Sequence, residues 1–166
     1  MENEIIIEQV SYDNAEQTRI LKACLENWFQ NPKDLHLTNP SMVYPFNFNK
    51  WLDVYNSNMD SITYIIKKND WIIGHLSIQL RPLMNSIHIF HVFINRENRG
   101  KGYSKVLVEK ILKYANTNNI EKITLGVVKK NSIAIRLYKN YGFKIFDENN
   151  VGSYRMKLDL DQSKNL

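Results

Sequence analysis

The sequence predicts an α/β fold built on one mixed sheet. Short runs rich in isoleucine and valine recur along the chain, and several segments between them carry apolar residues at helical spacing. Two apolar runs, about 85–95 and 122–128, flank one of those helical segments. A strand–helix–strand unit of this kind closes as a right-handed crossover, so these two strands should pair parallel.

In order, Glu4 to Val10 is the first strand, rich in isoleucine. From about Asp13 to Phe29 the pattern is helical, with Ile20, Leu21, Cys24, Leu25 and Trp28 on one face. Residues 30–50 hold three of the four prolines together with Leu35, Leu37, Val43, Tyr44, Phe46 and Phe48. So much apolar content in an irregular stretch means a packed loop or a binding loop. A short helix over Trp51 to Asn56 follows. Ser61 to Lys67 and Trp71 to Leu80 form a hairpin that turns at Asn69-Asp70. Ser86 to Asn95 is a buried type of strand, and Gly102 to Asn116 is helical with Leu107, Ile111, Tyr114 and Ala115 at core spacing. Lys122 to Val128 is a strand. Asn131 to Tyr141 is a helix ended by Gly142, and Phe143 to Phe146 and Ser153 to Leu160 are the last two strands.

The 166 residues suit a single domain spanning 1–166, and 43 % hydrophobic residues is an ordinary globular share. One cysteine, Cys24, leaves no intramolecular disulfide and no multi-cysteine metal site, so no metal is expected. No apolar run approaches the roughly 18 residues of a membrane span. MENEIIIEQV is acidic before its apolar stretch, unlike a secretory signal, and the expectation is a cytoplasmic protein. The net charge of +5 is spread along the chain, without a basic–aromatic tract of the kind that binds nucleic acid.

One segment concentrates chemistry. The strand ending at Asn95 leads through Arg99-Gly100-Lys101-Gly102-Tyr103-Ser104 into an amphipathic helix. Gly100 and Gly102 allow close approach of backbone to an anion, and the amides at the helix start then point at it with the helix dipole behind them. Arg96, Arg99, Lys101 and Lys105 add positive charge. Taken alone, the segment is either an anion site or a tight turn. Neither the GxxxxGK[ST] spacing nor the dinucleotide GxGxxG fingerprint is present.

These residues resemble the GNAT superfamily of acyl-CoA N-acyltransferases. HVFINREN runs into RGKGYS, similar to the family's (Q/R)-x-x-G-x-(G/A) turn at Arg99, Gly102 and Ser104. Some thirty residues later, NSIAIRLYKNYGF is similar to its second block at Asn131, Ala134, Leu137-Tyr138 and Gly142-Phe143. The likeness covers about 61–147, the cofactor half, and leaves about 13–58 for the acceptor side. Ser104 stands where glycine or alanine is commoner, and Arg96 where proline is.

The resemblance implies a mostly antiparallel sheet with one parallel pair splayed around coenzyme A. It implies acetyl-CoA as cosubstrate, its pantetheine arm against Val92, Phe93 and Ile94 and its diphosphate on Arg99, Gly100, Lys101, Gly102, Tyr103 and Ser104. Asn131 would hydrogen-bond the cofactor or cap its helix. Tyr138 would be the general acid for the departing thiolate, or a core tyrosine on the same helical stripe.

The acceptor must attack as a neutral amine. For a lysine-like amine, deprotonation at pH 7 costs roughly 4.6 kcal/mol. The family often uses an acidic residue on the strand before the phosphate turn, and this strand has none. His88, His91 and, on the neighbouring strand, His75 are the titratable groups at hand, with His91 the leading candidate for the base. Trp28, Tyr44, Phe46 and Trp51 are expected to wall the acceptor side. The expected partner is a small-molecule or peptide amine. A homodimer is left open, and neither membrane nor nucleic acid is expected. The alternatives to an active transferase are a catalytically silent acyl-CoA-binding sensor and, suggested only by charge, a nucleic-acid-binding domain.

Overall fold

A computed structural model describes residues 2–57, 60–150 and 152–160, so the outermost parts of the 1–166 span lie outside the described residues. The first strand, β1 (Ile5–Val10), leads into helix α1 (Ala15–Trp28). Asn14 caps that helix by accepting from the Gln17 amide.

Residues 30–50 differ from the loop expected there. They contain a second helix, α2 (Pro32–Thr38). Asn31 accepts from the amides of Lys33 and Asp34 at 2.9 and 3.2 Å, and Pro32 occupies the first turn, where its missing N–H costs nothing. The third helix, α3 (Phe48–Asn56), begins three residues before the expected Trp51, because Asn47 caps it through the Lys50 amide.

Strands β2 (Ser61–Lys68) and β3 (Trp71–Arg81) form the expected hairpin. Asn69 and Asp70 both adopt positive φ, the conformation a two-residue turn between twisted strands demands. Then come β4 (Ser86–Ile94), α4 (Tyr103–Thr117), β5 (Lys122–Val128), α5 (Ser132–Asn140), β6 (Lys144–Glu148) and β7 (Ser153–Asp159). The described strands form one sheet in the order β1-β2-β3-β4-β5-β7-β6. All its pairings are antiparallel except β4–β5, which is parallel as the crossover requires.

Helices α4 and α5 cover one face. Leu107, Val108, Ile111 and Tyr138 join Ile78, Ile87, Ile89, Ile123 and Leu125 in the larger core. On the other face Leu25, Leu35, Trp51 and Tyr55 of α1–α3, with Phe29 just after α1, close over Phe93. Alternation along β4 explains this, with Ile87 and Ile89 facing α4 and His88 and Phe90 facing the opposite way.

Candidate active site

Two irregularities in β4 build the site. The first is where its pairing with β5 stops. Ser86 to Ile89 pair with Lys122 to Leu125, yet β4 continues to Ile94 and β5 to Val128. Beyond Ile89 the strands diverge, and the β5-facing edge of residues 90–94 carries no partner among the described strands.

The second is a β-bulge. His75 pairs with Phe93 and Ser77 with Phe90, so one residue of β3 faces two of β4. His91 sits in the bulge with a φ of 52°, a conformation a histidine adopts only under support. The support is visible. Its ring stacks on Trp51 with centroids 3.6 Å apart and planes 14° apart. Asn39 Nδ2 donates to Nε2 at 3.1 Å, which leaves Nδ1–H to donate to Tyr55 Oη at 3.2 Å. Tyr55 Oη lies 2.7 Å from Ser77 Oγ, which meets Thr63 Oγ1 at 2.8 Å. His75 Nδ1–H donates to the His91 carbonyl at 2.8 Å, so His75 Nε2 accepts from Tyr12 Oη, which in turn accepts from Trp51 Nε1. Burial keeps both histidines neutral, pushing His75 down to about 4 and His91 well below the ordinary imidazole range. His91, the expected base, thus has both ring nitrogens occupied inside a buried network.

The cleft between the diverging strands opens into a cavity of about 1090 Å³. It brings together residues far apart in sequence, with Val92, Phe93 and Ile94 on one wall and Gly100, Gly102, Tyr103 and Ser104 at one end. Asn131, which caps α5, and Tyr138 within that helix also line it. Gly100 and Gly102 have φ of 73° and 85°, and a Cβ on either would meet nothing within 4 Å and project into open space. No side chain caps α4 at Gly102. The first helical bond runs from the Val106 amide, so the amides of 103–105 have no helical partner. Unpaired amides at a helix start, beside open space, are the arrangement an anion needs.

Arg99 behaves otherwise than a simple phosphate ligand. Its Nε donates to the Ile94 carbonyl at 2.9 Å and its guanidinium lies 3.1 Å from buried Asp34 of α2 and over the Phe93 ring. Arg96 approaches the other Asp34 oxygen at 3.7 Å. Lys101 Nζ donates to the Glu97 carbonyl. Asn131 Oδ1 accepts from the Ala134 amide at 3.3 Å, which is the helix-capping role.

Tyr138 packs its ring 5.7 Å from that of Phe143, and burial pushes its hydroxyl up to about 12. The phenol therefore stays protonated throughout the physiological range. His88 also lines the cavity, with Nδ1 2.8 Å from Thr124 Oγ1, and it is pushed down to about 4 by burial and by Arg81 and Arg155.

The aromatic wall expected on the acceptor side is not what lines the cavity. Trp28, Phe46 and Trp51 belong to the cluster between α1–α3 and the sheet, and Tyr44 is half exposed with its hydroxyl on the Gln30 carbonyl. Leu37, Thr38, Pro40, Ser41 and Val54 stand there instead. Large rings fill the thick layer between helices and sheet, where the apolar area they bury is greatest. Among the described residues no group of three or more His, Cys, Asp or Glu is placed to hold a metal, and no helix is long and apolar enough to cross a membrane.

A sheet splayed at a parallel pair, with unpaired helix-start amides at one end of the cleft and a buried tyrosine in it, is the geometry that the GNAT resemblance implies. Residues 22–143 match the acetyltransferase (GNAT) family, and the chain belongs to that family. Over 77 residues it is 30 % identical to the L-amino acid N-acetyltransferase AaaT of Escherichia coli (strain K12), covering 45 % of this chain and 48 % of that protein. Over 73 residues it is 27 % identical to N-acetylaspartate synthetase of Danio rerio, covering 44 % and 26 % respectively. The chain thus spans less than half the length of these curated relatives. Among solved structures, a domain from Methanocaldococcus jannaschii DSM 2661 superposes with a TM-score of 0.76 at 19 % identity, covering 96 % of this chain and all of that one. Spermidine N-acetyltransferase from Vibrio cholerae, in complex with CoA and spermine, gives 0.71 at 20 % identity and 96 % of both chains. At these identities the superpositions establish the fold.

Proposed function

We propose that the protein transfers an acetyl group from acetyl-CoA to a primary amine by direct attack within a ternary complex. One observation carries this reading. A single cleft runs from the glycine cradle at 100–104, along the unpartnered edge of residues 90–94, to the side chain of Tyr138.

The diphosphate fits the amides of 102–105 and the open space beside Gly100 and Gly102, with Lys105 and Arg96 nearby in charge. Arg99, committed to Asp34 and Ile94, serves by holding the turn in shape. The amide groups of the pantetheine arm suit the free edge at Val92, Phe93 and Ile94, as an added strand would.

In the transfer, the amine lone pair attacks the thioester carbonyl carbon. The C–N bond forms as the C–S bond breaks, and the sulfur leaves with the bonding pair. Tyr138 donates its hydroxyl proton to that sulfur and regains one from solvent. The nitrogen sheds its extra proton, yielding the amide and free thiol. A phenol held near 12 cannot be an effective donor to a weakly basic sulfur in the ground state. It matters only as negative charge develops, which is where a catalytic interaction should be strongest.

His88 suits the proton-accepting role better than His91. With its Nδ1–H on Thr124, its Nε2 holds a lone pair with no partner among the described residues. His91 is better read as a positioning residue for the bulge.

Release of free thiol from acetyl-CoA across a panel of amines tests the proposal. Amine-dependent release is expected. Binding of acetyl-CoA without release with any amine would instead favour a silent binder.

A further inference from the structure

We propose that Arg81, beside Gln79 and His88, forms a carboxylate-binding subsite in the acceptor half of the cavity, so that the acceptor is an amine bearing its own carboxylate. This rests on the transferase reading and names its substrate class.

Position comes first. Arg81 pairs with Ser86 at the start of β4, whereas the glycine cradle follows Ile94 at its end. At about 3.4 Å per residue those ends are roughly 27 Å apart, too far for Arg81 to serve the diphosphate. Direction comes next. The Arg81 guanidinium donates to Gln79 Oε1 at 3.3 Å, and Gln79 pairs with His88, so the charge folds back along the strand toward the cavity that all three line. His88 is two residues from Phe90, roughly 7 Å along the strand and next to the bulge where the cleft opens. A guanidinium–carboxylate contact plus the short span from carboxylate to amine bridges a gap of that order.

Charge decides the class. Among the described residues no carboxylate lies within ion-pair distance of Arg81. Of the described cavity-lining residues only Asp34 is acidic, and Arg96 and Arg99 already engage it. Arg81 and Arg155 both lie near enough to act on His88, and of the two Arg155 already meets Asp147 at 3.4 Å, which leaves Arg81 as the cation there without an ion pair among the described residues. A polyamine would bring like charge to this cation with no acid to receive it. A carboxylate would be held by a charge-assisted, bidentate contact.

Such pairing also eases the chemistry. An α-amino acid whose carboxylate is neutralised behaves like an ordinary α-amino group, with a pKa of about 7.7–8.0 instead of about 10.4 for a lysine-like amine. Less is then asked of a weakly basic histidine.

Matched acceptors test this, each acid being compared with its carboxamide and with the amine lacking the carboxylate, at saturating acetyl-CoA. The acids should lead in kcat/KM by about 10- to 150-fold, mostly through KM. Arg81→Ala should erase that lead and leave acetyl-CoA affinity unchanged, while Arg81→Lys should restore part of it. Equal use of acids and amides, no turnover of any acid, or a lead that survives Arg81→Ala overturns the subsite. The transferase reading stands or falls separately, on whether acetyl-CoA binds and whether any amine releases its thiol.

Discussion

Asp34 Oδ1 lies 3.1 Å from the Arg99 guanidinium and joins α2 to the turn between β4 and α4. The carboxylate is buried while Arg99 is about 40 % exposed, so the pair is only partly desolvated. It works with the Arg99 bond to the Ile94 carbonyl to hold residues 94–99 in one shape.

Asp34→Ala should therefore loosen the turn. About 1–3 kcal/mol of stability is expected to go, less than for a fully buried pair, because water can solvate the freed arginine. Acetyl-CoA affinity should fall with it. Denaturant melts and calorimetry on the same variant check both effects.

Tyr138→Phe keeps the ring against Phe143 and deletes only the hydroxyl. kcat should fall about 100-fold or more, with acetyl-CoA affinity changed less than twofold. Equal losses in both would mean that the tyrosine is a packing residue. Binding and steady-state measurements separate the two.

The buried network at the bulge gives a pH dependence with a definite sign. His75 is held at about 4 in the folded state against about 6.5 when unfolded, so between these values the unfolded chain binds the extra proton. Stability should be full above pH 6.5 and decline toward pH 4, by on the order of 3 kcal/mol for this residue. His91, also depressed, acts in the same direction. Urea unfolding of the wild type and of His75→Gln across this range should show a shallower pH slope in the variant.

Tyr55→Phe removes the oxygen that receives His91 Nδ1–H and meets Ser77. It should cost about 1–3 kcal/mol for the stranded partners. kcat should drop as well, because the bulge that aims residues 90–94 loses one of its supports. A variant as active as the wild type would show that the bulge holds itself.

Much of this architecture was legible in the residues. Asn69-Asp70 between two β-rich runs marked the hairpin, and two apolar runs around one helix marked the parallel pair. The glycines at 100 and 102 marked the turn into α4, and its reading as an anion site came from their distance to Asn131 and Tyr138. What escaped was mostly tertiary. Helix α2 had its Asn31-Pro32 start signal, but seven residues between prolines carry too little periodicity to stand out. The bulge at His91 left no mark because no glycine was needed, Trp51 and Tyr55 holding the strained backbone from another part of the chain. The engagement of Arg99 with Asp34, and the absence of an ion pair to Arg81 among the described residues, exist only once the strands are laid side by side.

Calorimetric titration of acetyl-CoA into wild-type protein and into Gly102→Val tests the central claim most directly. One site per chain is expected for the wild type. In the variant, side-chain atoms fill the cradle and the backbone at a φ of 85° is strained, so binding should disappear while the far-UV spectrum stays native. Equal affinity in the two proteins, or no binding by either, would contradict the account.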